Sequence, residues 1–331
     1  MFLDALTIDR NIQAIKGNGK LMLRVINPRT TNTALGLYVK LTRFWVAAAA
    51  VFSAAHAVAG ADGVPILRIT AANGEQSVLI GSMHVPVEGL REPAPSIFIG
   101  ARHYVIEHTG PSSLPNDDVS GFGVRTDWAK SLSDREVRIY LRRAKCAGVQ
   151  ENFAREQLKL PTPHEANMLA YAICPPPRHT SDRDSYMQSI APPSLAARPD
   201  ALEDPDWVEQ QRRKVPIDSD AAGFRWALEH DPKTVLEQAR NALNDGDYEA
   251  LRKQVLESFG SPQASADYGR FMLDGRNAAW IPNLRRLFDD GQAVVVVGAM
   301  HIPGPTGLIS LLRKDGYKVE QIEWPAINVE R

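Results

Sequence analysis

Short apolar runs near both ends of the mature chain predict strands. Pro65 to Thr70 and Gln76 to Met83 indicate two strands joined by a turn-forming linker, and Tyr104 to Ile106 indicates a third. Gln292 to Val297 is a continuous β-branched run, which is typical of a strand buried on both faces. Residues 317–322 predict a last strand of mixed polarity, nearer an edge of the sheet.

The middle of the chain, from about residue 111 to 275, has helical rather than strand-like spacing. Ser133 followed by Glu136 has the form of a capping box, and Ser181 or Asp182 can cap a helix that runs through the next ten residues. Arg276 to Asp289 predicts an amphipathic helix. The pattern therefore predicts an α/β chain, with a mixed β-sheet core, flanking helices and a largely helical middle insertion.

The first 59 residues predict an export signal. Lys40 and Arg43 precede the apolar run 44–55, and two small-x-small cleavage sites follow at 55–57 and 57–59. A membrane-spanning helix needs about 20 apolar residues, so we expect a cleaved signal peptide rather than an anchor or a buried helix. The mature part, 60–331, would form one periplasmic or secreted domain, attached to the membrane only if the signal stays uncleaved. A start at Met22 would explain the long stretch before Lys40.

Charge and cysteine content narrow the classes of function. With 38 basic and 39 acidic residues the formal net charge is −1, so no overall positive field exists to bind nucleic acid. The only two cysteines, Cys146 and Cys174, are expected to form a disulfide if the protein is exported. Two unpaired buried thiols are the alternative. Neither cysteine has a histidine at the spacing of a zinc ribbon.

One nine-residue pattern occurs twice. Residues 78–86 read VLIGSMHVP and residues 295–303 read VVVGAMHIP. Each is an apolar strand followed by Gly-x-x-His and a proline. The glycines, Gly81 and Gly298, are expected to let the backbone turn sharply. The repeat indicates that His84 and His301 share one site.

Strand ends explain how such a site would form. Ligands of α/β sheets bind beyond the carboxyl ends of the strands, where both histidines and Glu107 are predicted to lie. Two histidines and a carboxylate are a common metal shell, and a bound metal lowers the pKa of water toward about 7. The structural alternative is that the histidines cap buried strand ends by hydrogen bonding. Arg276 and Asn277, which open the last long helix, can hold an anionic group or orient a neighbour, or be ordinary surface residues.

Other polar residues give weaker signals. Strand geometry directs His103 and His108, which flank Glu107, away from a shared site. A surface position is expected for His164, and a loop or a helix end for His179 and His230. On sequence alone Asp184 and Glu203 are ordinary solvated acids.

These residues resemble the TraB/PrgY/GumN family, also called Tiki-like. The resemblance covers most of residues 65–325 and rests on these segments: GSMHVP at 81–86, YVIEHTG at 104–110, RDSYMQSIA at 183–191, ALED at 201–204, GRNAAWIPNLRRLF at 275–288 and VVVVGAMHIPGPTGLISLLRKDGYKVEQI at 294–322. It implies a fold related to erythromycin esterases and haem-binding ChaN proteins.

The resemblance also implies a site. Animal members are metal-dependent proteases. The resemblance places His84 and His301 in the site, and the family's strand-end acid falls on Glu107. It supports Arg276 and Asn277 as site residues and Asp184 as a site-shaping acid. The family often has a second acid soon after the strand-end glutamate, whereas this chain has His108-Thr109-Gly110.

We therefore expect an exported metallohydrolase, and a peptidase in particular. His84, His301 and Glu107 would hold Mn²⁺, Co²⁺ or Zn²⁺, and Arg276 with Asn277 would hold a peptide or small-molecule substrate or its oxyanion. One alternative is a metal-free, esterase-like hydrolase with a histidine as general base. The other is a protein that binds a peptide or haem without chemistry.

Overall fold

The computed structural model describes residues 63–114, 125–175 and 181–327. The predicted signal segment, 1–59, and His179 lie outside the described residues. The six strands are β1 (Val64–Thr70), β2 (Gln76–Ser82), β3 (His103–Ile106), β4 (Asp200–Ala201), β5 (Ala293–Gly298) and β6 (Lys318–Trp324).

The strands form one mixed sheet in the order β4-β3-β5-β2-β1-β6. Strands β2, β5, β3 and β4 are parallel, whereas β1 is antiparallel to both β2 and β6. Every residue of β5 is buried and β6 lies at an edge, which confirms the two predictions for the end of the chain. The two-residue β4 lies inside the stretch that was expected to be helical.

Thirteen α-helices occur among the described residues: α1 (Asp127–Lys130), α2 (Asp134–Cys146), α3 (Glu151–Gln157), α4 (His164–Ala170), α5 (Arg183–Ile190), α6 (Pro193–Ala196), α7 (Pro205–Arg212), α8 (Ile217–Glu229), α9 (Pro232–Asn244), α10 (Tyr248–Glu257), α11 (Pro262–Tyr268), α12 (Gly275–Asp290) and α13 (Leu308–Lys314). A π-helical segment, Gly269–Asp274, leads into α12. In the described part of the chain, no helix has the length and apolar character that crossing a bilayer requires.

Helix caps follow the sequence closely. Ser133 and Glu136 form the reciprocal capping box at the start of α2. Of the two candidates for α5, Asp182 is the cap, and its carboxylate accepts a hydrogen bond from the backbone N–H of Ser185. One 3-10 turn, Pro95–Phe98, precedes β3.

Within the described ranges, buried apolar side chains form three clusters. Val295 and Val297 point to one face of the sheet, which α9, α10 and α12 cover. Val294 and Val296 point to the other face, where Met187 of α5 packs. A third cluster joins α1, α2, α3, α4 and α8 without any strand. Part of the helical middle therefore builds its own core, and the remainder packs on the sheet.

The two cysteines form the expected disulfide. Cys146 ends α2 and bonds to Cys174, which follows α4, with 5.5 Å between their Cα atoms. The bond therefore crosslinks two helices of the strand-free cluster.

Candidate functional site

The two Gly-x-x-His segments lie side by side at the carboxyl edge of the sheet. Strands β2 and β5 are parallel neighbours, with Ser82 paired to Gly298. His84 follows β2 by two residues, and His301 ends a 3-10 turn that follows β5. Because β3 runs parallel on the other side of β5, Glu107 reaches the same edge. The structure thus brings together the three residues predicted as metal ligands.

Both motif glycines are required for space. Neither Gly81 nor Gly298 has a positive φ, so the expected sharp turn does not explain why glycine stands at these positions. A Cβ on Gly298 would lie 3.2 Å from Glu107 Oε1 and 3.3 Å from His84 Nε2. A Cβ on Gly81 would lie 3.0 Å from the Cβ of Ala299, in the second motif. The absence of side chains at these positions lets the motifs pack together around the site.

His84 is oriented by an acid from another element. Its Nδ1 lies 2.6 Å from Oδ2 of Asp184, in the first turn of α5, and Ser82 Oγ donates to the same oxygen at 2.5 Å. Burial raises the pKa of the Asp184 carboxyl to about 7, although the Ser82 hydrogen bond opposes this shift. With Asp184 ionised, Nδ1–H donates to it and Nε2 of the neutral ring faces the site as an acceptor.

His301 is oriented by an amide instead. Asn277 Nδ2 donates to the carbonyl oxygens of His301 and Thr306, at 3.3 and 2.9 Å. Its Oδ1 is therefore the atom that meets His301 Nδ1 at 2.6 Å, and the ring nitrogen must be the donor. Nε2 of the neutral ring is then an acceptor and faces the Arg276 Nη1 atom at 3.3 Å.

Arg276 lies fully buried between two carboxylates. Its Nη2 donates to Glu107 Oε2 at 2.6 Å and also to Glu203 Oε1, and its Nε lies 3.1 Å from both oxygens of Glu203. Glu203 is held in turn by the indole N–H of Trp280 at 2.8 Å. Arg276 and Asn277 are both 0% exposed, which excludes the surface alternative for them.

The donors at the centre of the site suit a divalent metal ion in kind. His84 Nε2 and His301 Nε2 lie 4.0 and 3.9 Å from the same oxygen, Glu107 Oε1. Each ring is fixed through Nδ1 by an oxygen, which is the usual support of a metal-binding histidine. Carboxylates also surround the centre, since Glu107 and Glu203 both accept hydrogen bonds from Arg276 and Asp184 contacts His84.

The spacing of these donors is wider than that of a closed shell. Two ligands of a tetrahedral zinc ion are about 3.4 Å apart, roughly half an ångström less than the distances observed here. Consistently, within the described ranges no group of three or more His, Cys, Asp or Glu side chains has a geometry that could hold a metal ion. The donor set therefore fits a divalent ion in chemistry, and each histidine Nε2 lies slightly farther from Glu107 Oε1 than two ligands of one ion would.

Sequence reasoning missed some buried groups. Glu203 was expected to be solvated, but its side chain is 3% exposed. His164 was expected at the surface and is buried. Glu203 lies two residues after the end of β4, a strand that is too short to recognise from the sequence. His103, as expected, does not join the site, and lies at the other end of β3.

Comparison with known proteins gives one match. The TraB/PrgY/gumN family model matches residues 200–321. The matched stretch includes Glu203, Arg276, Asn277 and the second Gly-x-x-His segment, whereas His84 lies outside it. No curated protein and no solved structure matches the chain.

Proposed function

We propose that this chain, whose residues 200–321 match the TraB/PrgY/gumN family, is an exported hydrolase. It would use a divalent metal ion to cleave peptide bonds. His84, His301 and Glu107 would hold the ion. The observation that carries this proposal is the convergence of two histidine Nε2 atoms on one carboxylate oxygen, at 4.0 and 3.9 Å. Imidazole and carboxylate ligands suit Mn²⁺, Co²⁺ and Zn²⁺.

The chain's own residues would act mainly by positioning. A divalent ion held there supplies Lewis acidity at neutral pH. Asp184 and Asn277 keep the two rings in the tautomer whose Nε2 faces the centre. Arg276 holds the Glu107 carboxylate through Oε2, and the Gly298 backbone N–H donates at 2.6 Å to Oε1, the oxygen that faces the histidines. The amide of Asn277 is engaged by His301 and Thr306, so we assign it to ring orientation rather than to contact with substrate.

Export is supported by two separate features. The first 59 residues have the pattern of a signal peptide, and Cys146 and Cys174 form a disulfide. Disulfides persist in oxidising compartments such as the periplasm. We therefore propose a periplasmic or secreted location, where peptides are accessible substrates.

A metal-free hydrolase is the second candidate, and the Asp184 contact favours it. An acid 2.6 Å from His84 Nδ1 is the arrangement of an oriented general base. His84 Nε2 would take a proton from water as the water oxygen attacks a carbonyl. In addition, Arg276 already donates to Glu107 and lies beside His301 Nε2, so positive charge is present without an ion.

The test uses the full chain, exported to the periplasm, beside His84→Ala and His301→Ala. We expect near-stoichiometric metal in the parent, its loss in both variants, and peptide turnover reduced by about 10²- to 10⁴-fold. Far-UV circular dichroism of the variants would establish that they remain folded. Retained metal and retained turnover in both variants would exclude the assignment.

Chelation separates the two candidates. Turnover that disappears after exhaustive chelation and returns with Mn²⁺, Co²⁺ or Zn²⁺ supports the metal-dependent reaction. Turnover that survives chelation but is lost in His84→Ala supports the metal-free one. No turnover at all, together with an absorbance band on haem titration that His301→Ala removes, would indicate a binding protein instead.

A further inference from the structure

A second cluster of titratable side chains, His103, Asp200 and Asp290, lies at the opposite end of β3 from the site. His103 begins this strand, and both of its ring nitrogens meet carboxylates. Nδ1 lies 2.9 Å from Oδ2 of Asp200, the first residue of β4. Nε2 lies 2.7 Å from Oδ2 of Asp290, the last residue of α12. One imidazole therefore joins three elements.

The ring of His103 can donate a hydrogen bond to both carboxylates only when it is protonated. A neutral imidazole has one N–H, whereas an imidazolium has two and can donate to both carboxylates. Burial by itself lowers the pKa of His103, but the hydrogen bonds to Asp290 and Asp200 outweigh it and raise the pKa above its ordinary value.

Nearby arginines contact the same two carboxylates, but through different oxygen atoms from those that His103 contacts. Arg102 Nη2 lies 3.5 Å from Asp290 and 3.9 Å from Glu75. Arg286 Nη2, on α12, lies 3.9 Å from Asp200. These arginines contact the outer oxygens, Oδ1, of the two aspartates, whereas His103 contacts both Oδ2 atoms. Among the described contacts, His103 is the donor at both Oδ2 atoms, and the arginines share the charge of the carboxylates through Oδ1.

Both carboxylates belong to elements that continue to the functional site, β4 and α12. Asp200 is followed within three residues by Glu203, whose backbone N–H donates to the carbonyl oxygen of Glu107 at 3.0 Å. The side chain of Glu203 then holds Arg276. On the other side, Asp290 ends the helix whose first turn carries Arg276. The cluster thus fixes the far ends of two elements that meet at this arginine.

We propose that His103 is a proton-dependent positioning residue, whose imidazolium holds β4 and the end of α12 against β3 and so keeps Glu203 on Arg276. Loss of the proton leaves one of the two carboxylates facing a ring lone pair. The pairing of β4, which is only two residues long, then weakens. The inference rests on the geometry of the cluster and is independent of the reaction that the site performs.

Hydrogen exchange of the full-length protein tests this inference. Amide exchange at Leu202 and Glu203 is compared between the parent and His103→Gln from about pH 5 to about pH 9, around the range in which histidine titrates. The ratio of the two rates at the same pH cancels the intrinsic pH dependence of exchange. The glutamine side chain of the variant carries no charge at any pH, so the ratio reports the protonated state of His103 in the parent.

The sign of the effect follows from the raised pKa. Stabilisation is present below the unfolded pKa of His103 and is lost as the pH rises through the higher folded value. Because the hydrogen bonds to Asp290 and Asp200 raise the pKa of His103, we expect these two amides to exchange several times faster in the variant at low pH. The ratio should approach one at high pH. A ratio that is independent of pH, or equal to one throughout, would overturn the proposal.

Two controls separate this effect from general destabilisation. His230→Gln replaces a histidine whose ring bonds only to the Trp226 carbonyl among the hydrogen bonds described, and it should leave both amides unchanged. Amides of β1 should not respond to His103→Gln. If His103→Gln does not fold, Asp290→Asn is used instead. Removal of one carboxylate must lower the NMR-measured pKa of His103 and move the loss of β4 protection to lower pH, and an unchanged pKa would contradict the inference.

Discussion

Arg276 is a fully buried cation, so its neighbours must balance its charge and accept its N–H groups. Transfer of a guanidinium from water into the protein interior is costly unless its charge and its N–H groups are satisfied. Glu107 and Glu203 supply two carboxylates, and the Met272 carbonyl accepts a further hydrogen bond at 3.3 Å. Glu107 also faces the histidines, so Glu203 is the partner committed to Arg276.

Replacement of Glu203 by glutamine should therefore affect both stability and the site. The amide keeps the size of the side chain but removes the charge that balances a buried guanidinium, and breaking a buried pair costs about 3 kcal/mol or more. We expect a loss near that value in chemical denaturation, with reduced turnover because Arg276 is less well fixed. Glu320→Gln is the matched control, since the pairs of Glu320 with Lys318 and Arg68 are solvent-exposed and each contribute little to stability. Equal effects of the two substitutions would disprove the role of Glu203.

Residues of the site were predictable where the sequence repeats itself. The two Gly-x-x-His segments gave His84 and His301, and the strand end gave Glu107. Glu203 could not be recognised, because an acid after two residues of unrecognised strand has the same local pattern as an acid in a loop. The orienting role of Asp184 was also beyond local pattern, since it depends on where α5 packs.

At the scale of single elements, helix α5 has a function that its length does not suggest. It is eight residues long and carries Asp184, the partner of His84, in its first turn. Asp182 caps the same turn. The geometry of the cap and the geometry of the site are therefore linked through three consecutive residues.

Removal of two N-caps should separate stability from function. Asp182→Ala and Ser133→Ala each delete a side-chain cap, at a cost of about 1 kcal/mol. Only Asp182→Ala should also lower turnover, because it loosens the turn that holds Asp184, whereas α2 lies in the strand-free cluster. Thermal unfolding and turnover of both variants measure this. Equal turnover in the two variants would show that the start of α5 does not position Asp184.

Elements with strong local patterns were predicted well, and weak ones were not. Five strands were expected and found, since their apolar runs or β-rich segments are distinct, and the capping box located α2. Strand β4 has two residues and owes its conformation to pairing with Val105 and Ile106. Its formation is a tertiary effect, which no local pattern contains.

For the whole molecule, strand order decides where the site forms. Strand β5 comes from near the end of the chain and inserts between β2 and β3, so that His84, His301 and Glu107 meet at one edge. The repeated motif predicted that the first two meet, but the insertion itself depends on long-range pairing. The helical middle was predicted as one insertion. In the structure this helical region has two parts, because α1 to α4 pack with α8 whereas α9 to α11 pack on the sheet.

Removal of the disulfide tests whether the strand-free cluster can lose stability without a change in the functional site. Cys146 and Cys174 close a loop with a sequence separation of 28, for which the chain-entropy model gives about 3–4 kcal/mol of stabilisation. We expect the double variant Cys146→Ser/Cys174→Ser to lose stability of that order, most of it within α2 and α4. Denaturation followed by hydrogen exchange would localise the loss, and the reduced parent serves as the control, since it should match the variant.

Turnover of the double variant at low temperature should stay close to that of the parent. The crosslink contacts none of the groups that hold His84, His301 or Arg276, and the sheet retains its own two apolar faces. A large loss of turnover in a variant that is still folded would mean that the cluster shapes the site after all. Unchanged turnover together with lower stability would instead assign the disulfide to persistence outside the cell, where unfolded chains are degraded.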